Sequence, residues 1–155
     1  MWKAFQRYRA LDPATRALFW RALLLLPQVA MLLRLRGFNK TKDVLQAQRT
    51  TDSPTKLQPG QAPEVVAQTC RMIHAAAHYG WYHPTCLVES LALWHLLQKQ
   101  GVPASLRIGV RRDTAKFEAH AWVEFAGQAL NQASEPHRHY AAFDSGSTDP
   151  SGDQP

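Results

Sequence analysis

Residues 85–132 read TCLVESLALWHLLQKQGVPASLRIGVRRDTAKFEAHAWVEFAGQALNQ, and a change of period inside them decides the fold. From Thr85 to Gln100, the residues Leu87, Leu91, Trp94 and Leu97 recur at helical spacing, which predicts an amphipathic helix. Gly101-Val102-Pro103 ends it. Ala104, Leu106, Ile108 and Val110 then alternate with Ser105, Arg107, Gly109 and Arg111, the two-residue period of a half-buried strand. Asp113 to Lys116 makes a turn. A second strand follows, with Phe117, Ala119, Ala121, Val123 and Phe125 on one face and Glu118, His120, Trp122 and Glu124 on the other. Ala126-Gly127 turns the chain into a short third strand, Gln128 to Asn131. A helix followed by an antiparallel meander is an α+β arrangement.

Working upstream, Glu64 to Tyr79 predicts another helix, with Val65, Val66, Thr69, Met72, Ile73 and Ala76 on its inner side and Gly80 as its stop. Thr50 to Pro63, TTDSPTKLQPGQAP, carries three prolines and a glycine and reads as a linker. Ahead of it, Asp12 can cap a helix that has Pro13 at its first position. Ala17, Leu18, Ala22, Leu25, Val29, Leu32 and Leu33 recur near helical spacing, with Pro27 as a kink or break and Gly37 suited to the end. The expected organisation is a basic helical region over 1–49, a linker over 50–63, a core over 64–144 and a disordered tail over 145–155. There are no repeats.

The chain of 155 residues suits one compact domain with an appendage. Its 45% hydrophobic content and five Trp argue for a packed core over disorder. The cysteines Cys70 and Cys86 are too few for a disulfide scaffold, and Met1 to Ala10 lacks the apolar core of a secretory signal, so a cytoplasmic, thiol-reducing location is expected. The apolar run from Ala17 to Leu35 is broken by Arg21, Pro27, Gln28 and Arg34, leaving 12 charge-free residues at most (Ala22 to Leu33). That favours a buried or partner-facing helical pair over a membrane span, with membrane-surface contact as the lesser reading. Residues 1–49 hold ten Lys or Arg against two acids, a local charge of +8 beside +6 for the whole chain. This is either a solvated helix face or a docking surface for an acidic peptide or protein. Nucleic acid is not expected, since no recognised binding motif accompanies the charge.

Cys86 stands where WYHPT gives way to the amphipathic helix. A thiol in a helix's first turn meets the positive end of the macrodipole and unpaired backbone N–H groups, which favour thiolate and can donate to an oxyanion. The plain alternative is a cysteine packed as a small hydrophobe, and Cys70, inside the preceding helix, is assigned that role. His120 lies mid-strand beside Trp122. An imidazole fixed on a strand next to such a thiol makes a Cys–His pair, in which His deprotonates the thiol and later protonates the leaving amine; the alternative is an exposed polar residue. A third group should orient the ring. If Ala126-Gly127 alone forms the loop, Trp122 pairs with Asn131, which then lies diagonally from His120 at roughly 7–8 Å between Cα atoms. With a three-residue loop, His120 lies opposite Gln132. Asp144 is the outside candidate. Cys70, His74 and His78, followed by His83, raise a metal site, but the HExxH glutamate is missing and no compact four-ligand set is evident. No cofactor or metal ion is implied.

The order of Cys at a helix start, His-Ala-Trp on a strand and a polar residue past a glycine turn resembles the transglutaminase-like cysteine enzymes. The strings TCLVESLALWHLLQKQGVPASLRIGV and AHAWVEFAGQALN, with the basic Leu-rich region before them, resemble the leader peptidases of lasso peptide biosynthesis over about residues 5–132. The resemblance implies a transglutaminase-like or papain-like core, in which a Cys-bearing helix packs on a small antiparallel sheet. It gives Cys86 and His120 the nucleophile and base roles. The family usually has Asn-Asp where this chain has Asn131-Gln132, so Gln132 stands in the place of the Asp. The implied partners are a precursor (leader) peptide, a separate precursor-recognition protein and a macrolactam-forming cyclase acting afterwards, the chain being read as a stand-alone protein without a fused recognition domain. Acyl transfer to an amine and a non-catalytic binding module of the same fold are the rival readings.

Overall fold

A computed structural model describes residues 11–51, 57–58, 60–113, 116–131 and 141–143. Three helices precede four strands among them: α1 (Pro13–Thr51), α2 (Ala62–Tyr79), α3 (Cys86–Lys99), β1 (Ser105–Asp113), β2 (Lys116–Phe125), β3 (Gln128–Ala129) and β4 (Ala141–Phe143).

The start of α1 is capped as its sequence requires. The Asp12 carboxylate accepts from the Thr15 backbone N–H at 3.0 Å. The Thr15 hydroxyl and this N–H hold the Asp12 carboxyl below its ordinary range. Gln68 of α2 in turn donates to the Thr15 hydroxyl, tying the two helices together. The break in α1 lies at Gly37 (φ 74°), not at Pro27, which sits inside the helix. Pro27 forfeits one backbone rung, but Leu26 and Val29 beside it are buried and keep that stretch seated. Gly37 adopts a backbone region that L-residues rarely enter. Its carbonyl then accepts from the buried Thr41 hydroxyl at 2.8 Å, and the second half of α1 carries Leu45 back to the core.

The buried face of α2 is Val66, Thr69, Met72, Ile73 and Ala76, with Val65 at its margin. The helix begins at Ala62, two residues before Glu64, with Pro63 in its first turn. In α3 the expected stripe broadens. Leu91, Trp94 and Leu97 are buried, but so is every other residue from Ser90 to Leu97. The cause is that α1, α2 and the sheet all pack against α3. His95 belongs to this interior and donates through Nδ1 to the Leu45 carbonyl at 3.1 Å.

The sheet has strand order β3-β2-β1-β4, all pairs antiparallel. Leu106 faces Val123, and both are in the core with α3. By strand alternation, His120 and Trp122 lie on the opposite face. Phe125 pairs with Gln128, so Ala126-Gly127 alone is the loop. Both loop residues have positive φ (49° and 77°), the sign pattern of a type I′ turn. The third strand stops at Ala129, two residues short of the expected Asn131. The sequence gives no sign of the strand Ala141–Phe143, which pairs with β1: three apolar residues are too few to show a period.

Candidate functional site

Cys86 is the first residue of α3 and is exposed. Thr85 caps the helix in an extended conformation, its hydroxyl accepting from the Val88 N–H at 3.4 Å. Three and four residues on, Glu89 and Ser90 lie on the side of the helix that Cys86 occupies, and they point to different neighbours. Glu89 looks toward α2. Ser90, fully buried, looks toward β2, where its hydroxyl donates to the Ala121 carbonyl at 2.8 Å.

That bond fixes where Cys86 lies along the strand. The far end of α3 is tied by Gln98 to the Ala104 carbonyl, next to Ser105, which pairs with Glu124. Helix and strand therefore run in the same direction. From Ser90 to Cys86, four residues toward the N-terminus, is about 6 Å of helix axis. From Ala121 to His120, one residue toward the N-terminus, is about 3.3 Å of strand. Along the two elements Cys86 and His120 thus lie on the same side of the Ser90–Ala121 bond, and because strand alternation turns the His120 ring to the face of β2 away from Val123, a contact between the two side chains runs around the open edge of β2.

His120 is half-buried and its ring stacks with Trp122, at 6.3 Å between centroids and 17° between planes. The Trp122 indole N–H donates to Glu124 at 2.9 Å. Glu124 pairs with Arg107 of β1 at 3.1 Å. His120, Trp122 and Glu124 form one row on this face of the sheet, braced from the neighbouring strand.

Asn131 is placed by the two-residue loop near Trp122, but its carboxamide is used elsewhere. Oδ1 accepts from the Val123 N–H at 2.9 Å, and Nδ2 donates to the Ser90 hydroxyl at 2.7 Å. Gln132 and Asp144, the other candidates for the third position, lie outside the described residues. Ser90 is absent from the residues singled out by sequence, although a serine one helical turn after Cys86 and next to the apolar run Leu91 to Trp94 is a visible signal.

A cavity of about 390 Å³ opens between α2 and α3, beside Leu130 and Asn131. Glu89, Cys70 and His74 line it. Burial raises the Glu89 carboxyl above its usual range, with His74 pulling the other way. Burial and the neighbouring Glu89 push the Cys70 thiol up to about 11, which fits the inert role given to it. His74 and His78 stack along α2, at 6.4 Å between centroids. Among the described residues, no three His, Cys, Asp or Glu side chains converge to hold a metal ion.

The model of the Transglutaminase-like superfamily matches residues 23–144, which is most of the chain. The chain belongs to that superfamily. A transglutaminase-like core accounts for the Cys86-bearing helix packed on an antiparallel sheet. Among characterised proteins, the chain is similar to the microcin J25-processing protein McjB of Escherichia coli, at 41% identity over 56 residues. That stretch is 36% of this chain and spans only 26% of the relative's length. No solved structure matches.

Proposed function

We propose that this transglutaminase-like protein is a cysteine peptidase that removes the leader from a ribosomally made lasso peptide precursor. The observation that carries the reading is the similarity to a microcin J25-processing protein. An exposed cysteine at the start of a buried helix and a histidine on the strand bonded to that helix support it. In this scheme His120 takes the Cys86 Sγ proton, and the thiolate attacks the carbonyl carbon of the bond after the leader. The backbone N–H groups at the start of α3 donate to the oxyanion. As the C–N bond breaks, His120 returns its proton to the leaving amine, and a thioester to the leader remains. Water, deprotonated by His120, hydrolyses it and restores the thiol.

The reading includes a place in a sequence of steps. The precursor arrives on a separate recognition protein in the cytoplasm, and a macrolactam-forming cyclase closes the released core peptide. Along α1, Trp20, Leu24, Met31 and Leu35 stand exposed beside Arg21, Arg34 and Arg36. An apolar stripe with cationic flanks suits an acidic amphipathic partner surface, and we assign this face to the recognition protein.

The test incubates the protein with the precursor and recognition protein encoded beside it and follows leader release by mass spectrometry. Release that disappears in both Cys86→Ala and His120→Ala is expected. Release that survives Cys86→Ala would end the reading. Replacing Trp20, Leu24, Met31 and Leu35 by Ser should weaken binding of the recognition protein; unchanged binding would remove this face from the scheme.

A further inference from the structure

We infer that Ser90 is a positioning residue, whose hydroxyl holds the Cys86 helix in register with the strand that carries His120. The inference rests on the pairing of Cys86 with His120 proposed above and assigns its geometry to a third and a fourth residue.

The third strand ends at Ala129, so beyond the Glu124–Ala129 pair no strand covers β2 on that side among the described residues. Leu130 supplies one more backbone bond, from its N–H to the Val123 carbonyl at 2.8 Å. The two groups that follow are met by side chains. Asn131 Oδ1 accepts from the Val123 N–H, and Ser90 donates to the Ala121 carbonyl. Asn131 Nδ2 then donates to Ser90, so one hydroxyl both donates and accepts and joins helix, strand and hairpin.

Ser90 is fully buried, at 0% exposure, so water does not substitute for either bond. A buried hydroxyl that completes both of its bonds specifies one arrangement, because any slide of α3 along β2 leaves the hydroxyl, the Ala121 carbonyl or the Asn131 amide unpaired. Val88, Leu91 and Leu97 are apolar and tolerate such a slide far better. Ser90 lies one helical turn from Cys86, and Ala121 adjoins His120. A slide of about 1 Å at this bond therefore moves thiol against imidazole by a comparable amount, enough to cost on the order of a hundredfold in rate. This role also accounts for Asn131. Its carboxamide acts on the position of the strand through Ser90 and Val123, in place of the direct imidazole contact expected from the sequence.

The experiment reads the pairing without a substrate. In a Cys70→Ala background, Cys86 is the only thiol, and its labelling by iodoacetamide is followed by mass spectrometry at about pH 6 and about pH 9, where a thiolate held by an imidazolium and a lone thiol differ most. The parent should retain a large share of its labelling rate at the lower pH, and His120→Ala should lose it. Ser90→Ala should lose at least tenfold of the low-pH rate while keeping the far-ultraviolet circular dichroism of the parent. Ser90→Thr, which keeps the hydroxyl, should stay within about threefold of the parent. If Ser90→Ala does not fold, Ser90→Gly takes its place: it keeps the Asn131–Val123 bond and leaves room for a water to meet the Ala121 carbonyl and the Asn131 amide. A Ser90→Ala protein that labels at low pH like the parent overturns the inference while leaving the Cys86–His120 pairing intact. A parent that labels like His120→Ala overturns the pairing, and the positioning role with it.

Discussion

The side-chain oxygen of Asn131 occupies the site on β2 that a neighbouring strand would fill, accepting from the Val123 N–H at 2.9 Å. The chain has left the sheet by this point, and a carboxamide continues the ladder in place of backbone. Val123 is fully buried, so its N–H has no access to water as an alternative partner. Asn131→Ala removes this acceptor and also the donor to Ser90. Leaving a buried polar group unpaired costs about 1–3 kcal/mol. The expected loss in urea unfolding is therefore at least about 2 kcal/mol, with no change in m-value. A loss under about 0.5 kcal/mol would show that the two bonds contribute little to the folded state.

Much of this hairpin is legible in the amino-acid sequence. The alternation of Ala121, Val123 and Phe125 against His120, Trp122 and Glu124 locates β2, and the Ala126-Gly127 pair locates its loop, because strand period and turn chemistry are both local properties. Which of two loop lengths applies is not legible. Ala126 has to adopt a positive φ for the two-residue form, and alanine gives no sign of that. The exit from the sheet at Ala129 is hidden for a related reason. It depends on Ser90, forty-one residues earlier, offering a partner to Asn131. In α1, Pro27 draws the expected break because its covalent chemistry forbids one rung. The packing of Leu26 and Val29 on α2 and α3 decides otherwise, and no local rule contains that packing.

The two cysteines should differ sharply in chemistry. Burial and Glu89 push the Cys70 thiol from 9.0 to about 11. That leaves about a hundredfold less thiolate at neutral pH. In a Cys86→Ala protein, Cys70 should therefore react with iodoacetamide about a hundredfold more slowly when native than in denaturant. Equal rates would mean that Cys70 is open to solvent and to reagent, against its place in the wall of the cavity between α2 and α3.

Glu89 should leave a mark on the pH dependence of stability. Its carboxyl is raised in the folded protein, chiefly by burial. The native state then binds this proton more tightly than the unfolded state does. Stability must fall as pH rises from the unfolded value through the raised folded one, and it stays lower above that window. Glu89→Gln removes the ionisation. The variant should match the wild type at acid pH, melt somewhat higher at neutral pH and lack the decline just above pH 4.5. Thermal unfolding across that window decides it. A neutral-pH melting point below that of the wild type would show that the charged carboxylate has a stabilising partner.

Ala126 offers a change in the opposite direction. It is the only non-glycine residue with positive φ among the described residues, at 49°. An L-residue with a Cβ loses roughly 1–2 kcal/mol in this conformation. The two-residue loop favours Asn-Gly because asparagine tolerates the left-handed region. Ala126 is exposed, so a larger polar side chain meets solvent and no core contact is lost. Ala126→Asn should stabilise the protein by about 0.5–1 kcal/mol, read as a higher urea midpoint at constant m-value. The site residues lie further along β2, and the sheet register set by Phe125–Gln128 is kept. The leader release proposed above should therefore proceed at the same rate in this variant as in the parent. A fall in stability would mean that the loop takes the longer three-residue form in solution, which would shift Asn131 out of reach of Val123 and Ser90.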